Sequence, residues 1–99
     1  MNSAIAIGLS GMQAAQVRLD VSAHHVANLQ TGDFQRQRVL AQSLPLGGVR
    51  TVVEASPTYG DDLAGDIVEQ RLSQHLFTAN LRTVQTADRM MGTLLDTLA

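Results

Sequence analysis

The last third of the chain, residues 62–98, carries the apolar repeat that most constrains the fold. Apolar residues recur there at spacings of three or four, or sums of these, with polar Gln70, Gln74 and Asp88 at the missing steps and no proline. The apolar members are Leu63, Ile67, Phe77, Leu81, Val84, Met91, Leu95 and Leu98. This spacing is typical of one face of a long helix. A continuous helix here would be about 55 Å long, so the repeat predicts a packing partner along that length.

A similar repeat near the N-terminus predicts that partner. Seven residues step by four and three in strict alternation: Ile5, Leu9, Met12, Gln16, Leu19, Ala23 and Val26. The two repeats predict antiparallel helices over residues 3–31 and 61–98. We expect one set of side chains to face the other: Ile5, Leu9, Met12, Leu19 and Val26 against Leu63, Ile67, Phe77, Leu81 and Val84.

Two glycines, Gly8 and Gly11, lie inside the first repeat. Each costs about 1 kcal/mol relative to alanine in a helix interior. One interpretation is a tolerated weakness in the helix. The other is a close approach by the backbone of a neighbouring helix. The sequence leaves both open.

Between the helices, residues 32–60 are predicted to form a loop and a small β-hairpin. Residues 38–41 and 49–54 are β-prone, residues 44–48 have turn chemistry, and residues 55–60 are expected to form a second loop. Gly32 is expected to end the first helix as a left-handed cap, and Phe34 to pack back over the helix end. The predicted fold is therefore a single, mainly α domain with two long antiparallel terminal helices and a small β-hairpin between them.

Composition narrows the possible functions of this 99-residue chain. Its seven basic residues are scattered, its formal charge is -2 and only 3% of its residues are aromatic, which argues against a nucleic-acid interface. No apolar run is long enough for a membrane span, and no cleaved signal peptide is expected. There is no cysteine. His24 and His25 would point about 100° apart on a helix, so we expect ordinary surface or edge histidines and no metal site. No catalytic or cofactor motif is present, and we expect no enzyme.

Two segments of the sequence resemble the terminal signatures of bacterial flagellar rod and hook proteins. The N-terminal segment, residues 8–36, runs through Ala-Asn-x-x-Thr to Phe-x-Arg, and the C-terminal one includes Thr-Ala-Asp followed by Met and Leu. Asp33 stands where that family has glycine, and glycine has moved to position 32. The positions that match the family motifs are Asn28, Thr31, Phe34, Arg36, Asn80, Thr86, Ala87 and Asp88.

The resemblance implies a structural subunit of the flagellar basal-body rod. It also implies export without cleavage by the flagellar type III apparatus, no cofactor, and polymerisation in the periplasmic rod with itself and other axial subunits. An alternative is a cytoplasmic helical-hairpin module, or a reduced paralogue, that binds one partner and does not polymerise.

The exposed sides of both predicted helices are unusually poor in charge. They are either plain solvated faces or surfaces that neighbouring subunits cover, since uncharged polar groups cost less to bury than ions. The end of the second helix extends beyond the reach of the shorter first one. We therefore expect Met91, Leu95 and Leu98 to contact another subunit.

Overall fold

Two antiparallel helices and a β-hairpin make up the fold, as the sequence predicts. The structure, a computed structural model, describes residues 2–98 and the side chains of residues 3–98. The elements in order are α1 (Asn2–Ala27), β1 (Gln35–Ser43), β2 (Val49–Tyr59) and α2 (Leu63–Leu98). The molecule is long and thin, measuring 63 × 25 × 14 Å. Its interior is correspondingly small: among the described residues only three apolar side chains are buried, those of Ala15, Val21 and Ala87.

Small residues form the contact line between the helices. On α1 this line passes through Gly8, Ala15 and Ser22, which lie seven residues apart and are buried. On α2 it passes through Asp66, Ser73, Asn80 and Ala87, again seven residues apart. A Cβ atom on Gly8 would lie 2.6 Å from Cγ2 of Val84, and one on Gly11 would lie 2.6 Å from Cγ of Asn80. The close-approach interpretation of both glycines is therefore confirmed.

This contact line is rotated around each helix relative to the expected one. Most of the large apolar residues predicted to face each other lie either one position after a small residue or three positions before it, which turns them by about 100° or 60° around the helix. Leu9 is 46% exposed, Leu63 42% and Ile67 46%. Half-buried positions are held by Ile5, Met12, Leu19, Val26, Phe77, Leu81 and Val84. The reason is steric: glycine, alanine and serine let the helix backbones approach more closely than leucine would.

The hairpin is longer than predicted. Register pairs run from Ser43↔Val49 at the turn to Gln35↔Tyr59 at the open end, with an irregularity between Gln35 and Gln37. Residues 55–59, expected as a loop, thus belong to β2. The turn lies where the sequence predicts it, at residues 44–48. The carbonyl of Leu44 accepts a hydrogen bond from the N–H of Gly47, whose φ is 94°. This is the three-residue hairpin loop in which the last position needs a left-handed residue.

Two backbone hydrogen bonds attach the hairpin to α1. The N–H of Val49 donates to Oγ of Ser10 (3.1 Å), and the N–H of Gln37 donates to Nε2 of His25 (2.9 Å). On α1 the two bonded residues, Ser10 and His25, are fifteen positions and therefore about 22 Å apart. On the hairpin, Gln37 and Ser43, which pairs with Val49, are six positions and about 20 Å apart. Because the two distances agree, the hairpin lies along α1.

The end of α1 differs from the prediction. The helix stops at Ala27, and the chain continues in tight turns in which the N–H of Asn28 bonds to the carbonyl of His24 (3.1 Å). Gly32 is not in the left-handed region. That conformation falls on Asp33, with φ of 56°, and aspartate tolerates it better than most residues do. Asp62 caps the start of α2, since its Oδ1 accepts the N–H of Gly65 (3.2 Å).

Candidate functional site

Four residues from three elements form a buried polar centre where α1, β1 and the start of α2 meet. We call His25, Arg36, Gln37 and Asp66 the anchor cluster. Asp66 is only 3% exposed and accepts two hydrogen bonds from the guanidinium of Arg36, at 2.6 and 3.2 Å. Its Oδ1 also lies 3.1 Å from Nδ1 of His25. The cluster therefore joins the three elements through one carboxylate.

The electrostatics of the cluster favour an ionised Asp66. Burial by itself raises the pKa of this carboxyl, but the hydrogen bonds from Arg36 and His25 outweigh it and lower the pKa below its ordinary value. The same hydrogen bond raises the pKa of Arg36. A charged pair this well satisfied costs little to bury, whereas removal of one partner would leave a buried charge alone.

His25 is a buried structural residue, and the expectation of an ordinary surface histidine is wrong for it. Its side chain is 6% exposed. Because Nε2 accepts the N–H of Gln37, the ring proton is on Nδ1 and is donated to Asp66. Both nitrogens are thus engaged inside the protein, and neither is available to a substrate. One sequence signal could have located the contact line between the helices (the seam): the small residues that recur every seven positions on both helices. Asp66 begins the series on α2, and His25 lies three residues after the last member of the series on α1.

A cleft of about 430 Å³ lies beside the anchor cluster, between the hairpin and the helices. The three arginines of its lining are already paired: Arg18 bonds to Glu69 at 2.6 Å, Arg36 to Asp66, and Arg38 to Glu54. Within the described residues, no three histidine, cysteine or acidic side chains come together to hold a metal ion. The cleft has the chemistry of a structural junction.

The residues that match the family motifs have mainly architectural positions. Asn28 donates to the carbonyl of His24 (2.9 Å), and Thr31 donates to Asn28 (3.3 Å). Phe34 packs edge-on against the rings of His24 and His25, with centroids 5.3 and 6.1 Å apart. The prediction that Phe34 covers the end of α1 is thus confirmed.

The remaining motif residues lie on β1 and α2. Arg36 belongs to the anchor cluster, and Asn80 packs against Gly11. Ala87 is buried in the seam, whereas Thr86 and Asp88 are exposed. The N-terminal motif therefore forms the corner of the fold, and the C-terminal motif contributes to the far half of the seam.

The apolar repeats themselves form one surface, which we call the open face. On α1 the hairpin contacts Ile7 and Ser10, whereas the repeat lies on the other side of the seam, so the two sets are on roughly opposite sides of the helix. Members of both repeats line one groove of about 200 Å³. The open face comprises Ile5, Leu9, Met12, Gln16, Leu19, Val26, Leu63, Ile67, Gln70, Gln74, Phe77, Leu81 and Val84.

A second unpaired surface lies at the end of α2. The contacts of Gly8 with Val84 and of His25 with Asp66 set an antiparallel register in which Asn2 is level with Arg89. We call residues 90–98 the α2 extension, and it continues for about 13 Å beyond that level. Exposed fractions are 57% for Met90, 52% for Leu94, 62% for Leu95 and 75% for Leu98, while Met91 is half-buried. Neither helix of the described residues has an apolar stretch sufficient to cross a bilayer.

No protein-family model matches this chain, and no curated protein matches it significantly.

Proposed function

We propose that this protein is a structural subunit of the bacterial flagellar basal-body rod. In this proposal the chain is exported uncleaved through the type III apparatus and is built into the periplasmic rod with copies of itself and other axial subunits. The motif resemblance at both ends of the sequence supports this assignment. The thin shape supports an assembled state, since a chain with three buried apolar side chains among its described residues has little core of its own.

The observation that carries the proposal is the α2 extension. Leu95 and Leu98 are exposed on a helix that continues past the level of Asn2, and exposed apolar surface of this kind marks an interaction site. A neighbouring subunit would cover the extension by placing its own helices beside it. Asp96 is the only charged residue in the sequence of the extension, so most of its apolar stripe can leave water without the burial of an ion.

The polar groups inside the subunit have a structural role. The anchor cluster engages both nitrogens of His25, and the cleft beside it is lined by ion pairs. Such a centre fixes the hairpin and α2 relative to α1, which a repeating assembly requires of its subunit. It offers no free nucleophile or open ligand position.

The test is the double variant Leu95→Asp with Leu98→Asp, expressed in the source bacterium in place of the natural chain. We expect a folded chain by circular dichroism, normal amounts in the culture medium, and absence from isolated basal bodies. The matched control is Thr93→Asp with Thr97→Asp, which adds the same charge to the same turns at exposed polar positions.

Three outcomes would contradict parts of the proposal. Normal incorporation of the leucine variant would refute the assembly role of the α2 extension. Unfolding of the isolated variant would show that these leucines stabilise the subunit itself. Absence of the natural chain from basal bodies, with all of it in the cytoplasm, would favour a partner-binding helical hairpin that does not polymerise.

A further inference from the structure

The chain exposes more surface than a monomer of its mass needs. Its accessible surface is 6810 Å² for a mass of 10.6 kDa. A compact monomer of that mass exposes about 5,500 Å². The excess is therefore more than about 1,000 Å², whereas a standard protein–protein interface removes about 800 Å² from each partner. The α2 extension, about 13 Å long, is too short to account for an interface of that size.

The open face has the required size. From Ile5 to Val26 it follows α1 for about 32 Å. Two adjacent helices present a width of about 20 Å, since their axes are 8–10 Å apart, so the face covers roughly 600 Å², at the low end of the range for one partner of a standard interface. Leu9 and Ile67, near opposite ends of it, are each 46% exposed. The side chains that make up the face are apolar or uncharged, and the nearby carboxylate of Asp20 accepts a hydrogen bond from Nε2 of Gln16 (2.9 Å).

The middle of the open face is polar. Gln16 of α1 and Gln74 of α2 lie on opposite walls of the 200 Å³ groove, with Thr78 beside them. The hydroxyl of Ser73 lines the same groove, is 1% exposed and has no hydrogen-bond partner among the described residues. Apolar side chains lie on both sides of this centre along the helix axes. Polar groups at the centre of an apolar interface are the usual device that fixes register and orientation.

We infer that the open face binds a second copy of this chain about a two-fold axis that runs along the Gln16–Gln74 groove, parallel to the helices. The rotation places α2 of each copy over α1 of the other and brings the Leu9 ends of the two faces together. Gln74 of each chain then meets Gln16 of the other, and amides satisfy one another across the axis. The result is a closed four-helix dimer.

This dimer is distinct from the assembly proposed above. An isologous contact uses the same surface on both chains and closes, whereas a filament needs a heterologous contact that repeats. The α2 extensions lie outside the overlapped faces and stay exposed at one end of the dimer. The inference therefore does not depend on a flagellar role.

Charge complementation tests the two-fold arrangement. One variant carries Gln16→Glu with Gln74→Glu, and the other carries Gln16→Lys with Gln74→Lys. Sedimentation velocity and native mass spectrometry measure association of the natural chain, of each variant and of their equimolar mixture. We expect the natural chain to be a dimer at micromolar concentration. We expect each variant to associate about a hundredfold more weakly, because like charges face each other across the axis. The mixture should form a heterodimer within about tenfold of the natural affinity.

The controls separate the two surfaces. Gln13→Glu with Gln85→Glu adds the same charge at exposed positions outside the open face and should leave the dimer intact. Leu95→Asp with Leu98→Asp should also remain dimeric, even though that variant is expected to be excluded from the rod. A monomeric natural chain, undiminished association of both charge variants, or a mixture that stays monomeric would each overturn the inference. If a charge variant loses its helical circular dichroism, the mass of the natural chain decides the question.

Discussion

The side chain of Asn80 occupies the space that a Cβ atom on Gly11 would need. Its amide nitrogen donates to the carbonyl of Leu76 (2.8 Å), so the side chain is held in that position. The same relationship recurs one turn away between Gly8 and Val84. At both contacts a glycine of α1, which has no side chain, faces a side chain of α2. These pairs set the distance between the two helices.

Gly11→Ala should destabilise the protein despite the better helix propensity of alanine. The propensity gain is about 1 kcal/mol. Displacement of Asn80 and forced separation of the helices cost about 1–3 kcal/mol, as in other overpacked interiors, so the clash prevails. Gly92→Ala is the matched control, because a Cβ there meets no atom within 4 Å. It should stabilise by about 1 kcal/mol. Urea unfolding of both variants measures the two signs, and stabilisation of both would contradict the close approach.

Ser73→Ala should stabilise the protein. The serine hydroxyl is buried without a hydrogen-bond partner among the described residues, and removal of such a group recovers about 1 kcal/mol. Ser10→Ala is the contrasting variant, since it leaves the N–H of Val49 without its acceptor and should cost about 1 kcal/mol. Thermal unfolding of the two variants against the natural chain gives the comparison. Equal losses would mean that Ser73 has a partner in solution.

Asp66 should make the stability of the protein sensitive to acid. Because its pKa is lowered in the folded state, its carboxylate stabilises the fold at pH values above its unfolded pKa of about 3.9. That contribution is lost as the pH falls through the lower folded value. Asp66→Asn should cost about 3 kcal/mol at neutral pH and flatten the acid limb of the stability profile. Asp96→Asn, at an exposed position, is the control and should leave the profile unchanged.

Phe34→Ala should cost about 2 kcal/mol, below the range for a fully buried phenylalanine, because the ring is half-buried against His24 and His25. Tyr59→Ala is the aromatic control, since Tyr59 is 62% exposed, and its loss should stay under about 0.5 kcal/mol. Guanidinium unfolding distinguishes them. Equal effects would show that Phe34 does not close the corner of the fold.

The two helices could be predicted from sequence because their apolar repeats are long and uninterrupted by proline. The repeats located the helices but not the seam: leucine and isoleucine dominate a hydrophobic pattern, whereas Gly8, Ala15 and Ser73 decide how closely backbones approach. A heptad of small residues is visible in the sequence, but its rotation relative to the apolar repeat can be interpreted only when the two helix backbones are placed side by side.

Other features depend on contacts far apart in the chain. The extension of β2 through Tyr59 follows from pairing with Gln35, which local propensity does not reveal. The role of His25 requires Gln37 and Asp66, and no local signal joins these three. The left-handed conformation of Asp33, by contrast, could be anticipated from the sequence. The resemblance placed glycine at that position, and the conformation is the one that glycine favours.

The polar bonds between the helices are gathered at one end of the molecule, and this asymmetry governs how it opens. Arg18 with Glu69 and His25 with Asp66 both lie near the start of α2, whereas the other half of the seam is held by van der Waals contact around Gly8 and Ala87. Local unfolding free energy should therefore decline along α2 toward Leu98, and amide hydrogen exchange should be slowest around Ser73 and fastest beyond Met90. The helix pair should therefore open first at the end near Leu98, and a helix from another molecule would first pack there.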